Sequence, residues 1–202
     1  MRIYSYVVAR DYGFAPNPFF SFCTLATCKP MIRKTAQVGD WIVGTGSKTC
    51  GLGGFLVYAV KVAETCTYDQ YWEDPRFLVK RPNLRGSLKQ AYGDNIYHRN
   101  PGARGWVQEN SHHSLPDGRA NPENVKHDTR YPRVLIGTDF VYDGGDGPKI
   151  PARFRRDGSL DVCCSLQGHK CKFPSDFAES FVAWIESLGM KGCVGKPRQF
   201  ED

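Results

Sequence analysis

The chain has no run of eighteen apolar residues, so no membrane-spanning helix is expected. It has no internal repeat and no low-complexity tract, and its composition is not that of a disordered, collagen-like or fibrous chain. None of its eight cysteines is spaced C-x2-C. The string CCSLQGHKC, with Cys163, Cys164, His169 and Cys171, sets adjacent cysteines on opposite faces of a strand. Zinc is therefore not expected, and neither is any other metal or cofactor. The first residues, MRIYSYVVARDYGF, carry no small-residue cleavage motif and read as a strand, not as a secretory signal. At 202 residues the chain needs no disulfide framework, so reduced thiols in a cytoplasmic protein are expected.

What is present is globular in character: 41% apolar, 13% aromatic and 24% charged residues. The net charge of +6 is unevenly spread. Residues 76–105 hold seven basic side chains against Asp94 alone, while residues 1–75 sum to +1 and 106–202 to −1. One basic stretch between near-neutral flanks suits a polyanion.

The patterning predicts strands at 2–9, 40–45, 55–63 and 133–142 and a short helix after Pro30. One or two helical turns are expected at 68–74. Residues 19–29 are ambiguous between strand and helix. A hairpin is expected across Asp157-Gly158, pairing 151–156 with 160–166. Phe177, Phe181, Trp184, Ile185 and Leu188 recur at three and four residues and predict a core-facing helix over 175–189, with Ser175 as its cap and Gly189 at its end. Residues 76–130 show little periodicity and read as a long insertion, the usual setting for a functional loop. The expected fold is a single α+β domain over 1–202, mostly β, with its core in 1–75 and 131–170.

Four of five histidines fall between 98 and 127. In the strings GDNIYH, NSHHS and KHD, Asp94 is a candidate general base, and His98, His112 and His127 are candidate proton carriers. Asn17, between two prolines and beside Phe14, is placed to grip a base edge, with Trp41, Asn95 and Tyr97 as further base-binding candidates. The glycine-rich loop 44–54 fails the P-loop spacing, but Ser47 and Lys48 are candidates for one phosphate. Arg81, Arg85, Lys89, Arg99 and Arg104 are candidates for the nucleic-acid backbone. Cys23 and Cys28, in apolar surroundings, read as structural thiols, not as nucleophiles.

Two resemblances add to this. The run 32–64, with Gly39-Asp40, Trp41 to Val43 and Phe55 to Val62, resembles the centre of a PUA-like barrel of EVE or ASCH type and implies a small closed β-barrel. Over nearly its whole length the chain resembles the second nucleotide-modification-associated domain family. The matching segments are YGFAPNPFF (12–20), CTLATCKP (23–30), GDWIVGTGS (39–47) and GDNIYH (93–98). That resemblance implies an association with modified bases in DNA, often in phage or anti-phage settings, and names no reaction. The function expected is recognition of a modified or flipped base in DNA. The alternatives are a base-processing hydrolase such as a glycosylase, and a sensor of a small nucleotide.

Overall fold

The computed structural model describes residues 1–102, 104–155, 160–164 and 168–200. Its elements run β1 (Ile3–Val8), β2 (Cys23–Leu25), α1 (Pro30–Thr35), β3 (Trp41–Gly46), β4 (Leu56–Lys61), β5 (Glu64–Thr67), α2 (Tyr68–Glu73) and α3 (Leu88–Ala91). They continue β6 (Tyr97–His98), β7 (Val107–Gln108), α4 (Pro122–Thr129), β8 (Arg133–Gly137), β9 (Phe140–Gly144), α5 (Ser175–Ser187) and β10 (Gly192–Lys196). The chain is mixed α and β, and it divides into two compact units, each built from segments distant in sequence. No helix is long and apolar enough to cross a membrane among the described residues.

Unit 1 comprises Met1–Tyr12, Ala36–Ala63 and Gly137–Asp202. Its five-stranded sheet has the order β1-β3-β4-β9-β10. The two outer pairs, β1 with β3 and β9 with β10, are parallel, and the two inner pairs are antiparallel. Gly44 is required where β3 crosses β4: a Cβ there would lie 2.3 Å from the Tyr58 ring. One face of the sheet carries Trp41, Val43, Leu56, Ala59 and Val141, which pack with Phe181, Val182 and Ile185 of α5. The aromatic stripe of α5 is thus core packing, as its spacing predicts. Ser175 differs from expectation: it is the first helical residue, and Pro174 occupies the cap position without a side-chain cap bond. The turn expected at Asp157-Gly158 and the end of its second strand lie outside the described residues. The flanking Arg155 and Asp161 form an antiparallel bridge, with Arg155 Nε donating to Asp161 Oδ1 at 2.8 Å.

Unit 2 comprises Gly13–Thr35 and Glu64–Ile136. It holds a three-stranded sheet of order β2-β8-β5 and the β6-β7 pair. The 19–29 segment resolves as strand β2, and the expected strand at 133–142 is two strands that belong to different sheets. A capping box between Thr67 and Gln70 starts α2. Residues 76–130 fold together with 13–35 and 64–75, around buried Tyr68, Tyr71, Phe77, Ile96 and Tyr97.

The barrel implied by the PUA-like resemblance is not formed: the described strands make three open sheets. The short helix, the Gly-Asp turn and strands β3 and β4 all occur where that resemblance puts them. Closure needs the edge strands to pair with each other, and β1 and β10 end the sheet order on opposite sides.

Candidate active site

Unit 2 is unusual in how many ionisable side chains it buries. Arg33, Lys80 and Asp128 are each 0% exposed, and Asp94 is 1% exposed. Buried charges persist only when paired or fully hydrogen-bonded. They fall into two groups, and the groups have different chemistry.

The first group is a closed lattice. Lys80 Nζ donates to Asn17 Oδ1 at 2.6 Å, to the Asn17 and Phe22 carbonyls at 3.0 Å each, and to Thr24 Oγ1 at 3.1 Å. Thr24 Oγ1 donates to Asp94 Oδ2 at 2.7 Å, and the Tyr71 hydroxyl donates to Asp94 Oδ1 at 2.8 Å. Burial raises the Asp94 carboxyl above the usual carboxylate range, against the lowering pull of Lys80 and of the two hydroxyls. Burial also pulls Lys80 down to about 8, against the charge of Asp94. Asn17 has its amide nitrogen on the Tyr92 carbonyl at 3.0 Å. Asn95 donates to the Tyr71 and Phe77 carbonyls at 2.9 and 3.2 Å. Asn17, Asp94 and Asn95 are therefore brought together, inside the unit, as a scaffold beneath β2.

The second group reaches the surface. Cys28 follows β2 and precedes α1, and it is half-buried. Its Sγ lies 3.6 Å from His113 Nε2. His113 Nδ1 donates to Asp128 Oδ2 at 2.9 Å. Asp128 Oδ2 also accepts from the Tyr97 hydroxyl at 3.0 Å, and Oδ1 accepts from the Cys28 N–H at 2.8 Å and from His127 Nδ1 at 3.1 Å. Burial opposes charge on Asp128, but the histidine hydrogen bonds and the charges of His113 and Arg33 outweigh it. The carboxyl is held well below its usual range. For His113, burial likewise opposes charge, and the bonds to Asp128 and Cys28 overcome it, raising the imidazole to about 9. A thiol, an imidazole bridging it, and a carboxylate fixing the far ring nitrogen form the nucleophile, base and orienter sequence of covalent catalysis.

The same three residues place ligand atoms within 4.8 Å of one another, close enough for one ion. Saturation of Asp128 argues against that use. Its two oxygens already serve four donors, which fills the lone-pair sites of a carboxylate, and the His113 nitrogen nearest to it is occupied by that contact.

Two further features hold the constellation in place. Arg33, on α1, donates through Nε to the Cys28 carbonyl at 2.9 Å, through Nη2 to the Asp128 carbonyl at 2.7 Å, and through Nη1 to the Arg133 carbonyl at 2.9 Å and to the Tyr131 carbonyl. It thus clamps the backbones of Cys28 and Asp128 to each other. Lysine cannot span this fork. Arg33→Lys is expected to lower the unfolding free energy by about 2–3 kcal/mol in urea titrations, and an unchanged value would show that the clamp is dispensable. Cys28 and Lys29 also adopt left-handed backbone, with φ of 55° and 36°. Such conformations cost non-glycine residues free energy and gather at functional sites.

The remaining predicted residues are placed as follows. Phe14 is buried against the rings of His112 and His113, at 5.4 and 4.7 Å. His112 is exposed and edge-on to Phe14 and to Tyr92. His127 is exposed and bonded to Asp128. Tyr97 is buried with its hydroxyl on Asp128. His98 stacks on Trp72 at 4.0 Å and bonds Glu109, away from this carboxylate. Arg81 sits over Trp72, with its guanidinium carbon 3.5 Å from the ring centre, and donates through Nη2 to the Trp72 carbonyl. Arg99 is paired with Asp69, whereas Arg85, Lys89 and Arg104 are exposed. Trp41, Ser47 and Lys48 belong to unit 1: Trp41 is in its core, and Ser47 Oγ caps a turn by accepting from Thr49 N at 3.2 Å.

Sequence reasoning missed Cys28, His113 and Asp128 as a set. The histidine-rich strings marked the right region, but Cys28 read as a structural thiol. Its signal is visible only once β2 brings residue 28 next to residues 113 and 128.

Charge follows the same division. Unit 2 carries fourteen Lys and Arg against nine Asp and Glu, a surplus of +5, which leaves +1 for unit 1. No curated protein and no solved structure matches the chain. The sequence model for nucleotide modification associated domain 2 matches residues 1–202, the whole chain, and the protein belongs to that family.

Proposed function

We propose that this protein performs thiol-dependent covalent catalysis on a modified nucleobase in DNA. The observation that carries this reading is the Cys28–His113–Asp128 chain of contacts. Cys28 is the nucleophile, whose attacking form is the thiolate. His113 holds and returns the proton at Nε2. Asp128 fixes the His113 ring through Nδ1 and stabilises its charged form. The family supplies the context of nucleotide modification, and the surplus of unit 2 supplies attraction for a polyanion. Arg85, Lys89 and Arg104 are exposed cations of the basic stretch, beside Arg76 and Arg99, which are exposed and ion-paired. Asp94 serves this reading as scaffold, because both its oxygens are occupied inside the unit.

The test is incubation with unmodified DNA and with phage DNA carrying hypermodified bases, followed by mass spectrometry of released and retained bases. A change in a modified base with wild type, absent with Cys28→Ser, is the expected result. Tight retention of modified DNA with no change in any base would overturn catalysis and favour a reader. Binding of free nucleotides alone, without the steep salt dependence of DNA contacts, would favour a small-nucleotide sensor.

A further inference from the structure

The Cys28 peptide bears on what kind of atom the thiol attacks. Acyl transfer builds an oxyanion, and the nucleophile's own N–H is an ordinary donor to it. Here the Cys28 N–H donates to Asp128 Oδ1 at 2.8 Å, inside the fold. The Cys28 carbonyl is held by Arg33 Nε at 2.9 Å, so both sides of the residue's backbone are tied. Attack at an acyl carbon would lack that donor. Addition to the ring of a pyrimidine does not call for one there. The electron pair of the C5=C6 double bond moves to C5 as sulfur bonds C6, and what the site must supply is a proton donor beside the thiol. His113 Nε2, 3.6 Å from Sγ, stands there. The exposed His112 ring lies beside His113, 6.1 Å between ring centres, and with Phe14 and Tyr92 it makes an aromatic surround at the thiol site where a flat base is at home.

We propose that Cys28 adds reversibly to C6 of a pyrimidine base while His113 delivers a proton to C5. One S–C6 bond forms, the C5=C6 π pair becomes a C5–H bond, and the proton lost by the thiol reaches C5 through His113. Nothing is oxidised or reduced, and no co-reactant is needed. Elimination in reverse restores the thiol and the base, and where C5 carries a hydrogen, loss of either of the two hydrogens now on C5 exchanges it with solvent. This inference rests on the catalytic reading of Cys28, His113 and Asp128 above.

The probe is tritium at C5 of cytosine and of uracil, in DNA oligonucleotides and in free nucleotides, with release into water as the readout. Wild type is expected to release tritium from at least one probe, and Cys28→Ser and His113→Gln to lower the rate at least a hundredfold. Cys28→Gly is the second thiol-free variant, since glycine adopts φ of 55° without strain. One parallel measurement separates this inference from the reading beneath it: alkylation of Cys28 by iodoacetamide. No release from any probe, with fast His113-dependent alkylation of Cys28, overturns the pyrimidine adduct and leaves the triad. No release and no preference for Cys28 over the other cysteines overturns both.

Discussion

Asp128→Ala is expected to cost about 3–5 kcal/mol of stability, the usual effect of removing one partner from a buried charge network. The side chain is 0% exposed, and its carboxylate accepts from the Cys28 N–H, His113 Nδ1, His127 Nδ1 and the Tyr97 hydroxyl. Alanine leaves three of those donors without their acceptor, each with a desolvation penalty. His127 is different: its side chain is 58% exposed, and water replaces its lost acceptor. His127→Gln is therefore expected within about 0.5 kcal/mol of wild type. Asp128→Asn falls between, because its amide nitrogen meets donors where an acceptor is needed. Urea unfolding of the three variants makes the comparison. A cost for Asp128→Ala of about 1 kcal/mol or less would mean that the carboxylate is a passive neighbour of the thiol site. The same substitution is expected to slow alkylation of Cys28, since His113 loses the group that orients its ring.

How much of this was legible in the sequence depends on which forces built each part. Unit 1 is a hydrophobic core, and hydrophobic cores leave a periodic trace. The run FLVYAVKVA becomes β4, and the three-and-four spacing from Phe177 to Leu188 becomes the buried face of α5. Sheet order left no such trace, because β1 pairs in parallel with β3 and β9 with β10 through contacts far apart in the chain. Unit 2 has a partly ionic core. Arg33, Lys80, Asp94 and Asp128 occupy positions that hydropathy assigns to the surface, so 76–130 read as an irregular insertion. Two of the seven cations of the basic stretch have acidic partners from outside it. Arg76 is neutralised by Glu64 and Asp74 and Arg99 by Asp69, and those acids lie in the segment just before it. The candidate site needed contacts of 85 and 100 residues' separation, from Cys28 to His113 and to Asp128. Residue type alone marks all three as capable of chemistry, but only the fold brings them together.

Two substitutions are expected to reshape the pH dependence of stability in opposite directions. His113 titrates at about 9 in the fold against an ordinary 6.5. Between those values the native protein holds a proton that the unfolded chain has released. Its contribution is therefore complete below pH 6.5 and is lost as pH rises through about 9. The gap corresponds to roughly 3 kcal/mol. Lys80 behaves the other way, because burial brings it down to about 8 from an ordinary 10.5. Above pH 8 the unfolded chain holds the extra proton, so this contribution improves as pH rises toward 10.5. The difference in unfolding free energy between wild type and His113→Gln should shrink from pH 6.5 to 9, with a slope approaching 1.4 kcal/mol per pH unit. The difference between wild type and Lys80→Met should grow from pH 8 upward. At neutral pH, Lys80→Met is also expected to cost about 3–5 kcal/mol, because the acceptors from Asn17, Phe22 and Thr24 lose their common donor. Taking differences against wild type cancels the groups whose surroundings the substitution leaves unchanged. Parallel curves for all three proteins would mean that neither group changes its proton affinity on folding. A change confined to His113→Gln would place the electrostatic design in the thiol site alone and reduce the Lys80 lattice to packing.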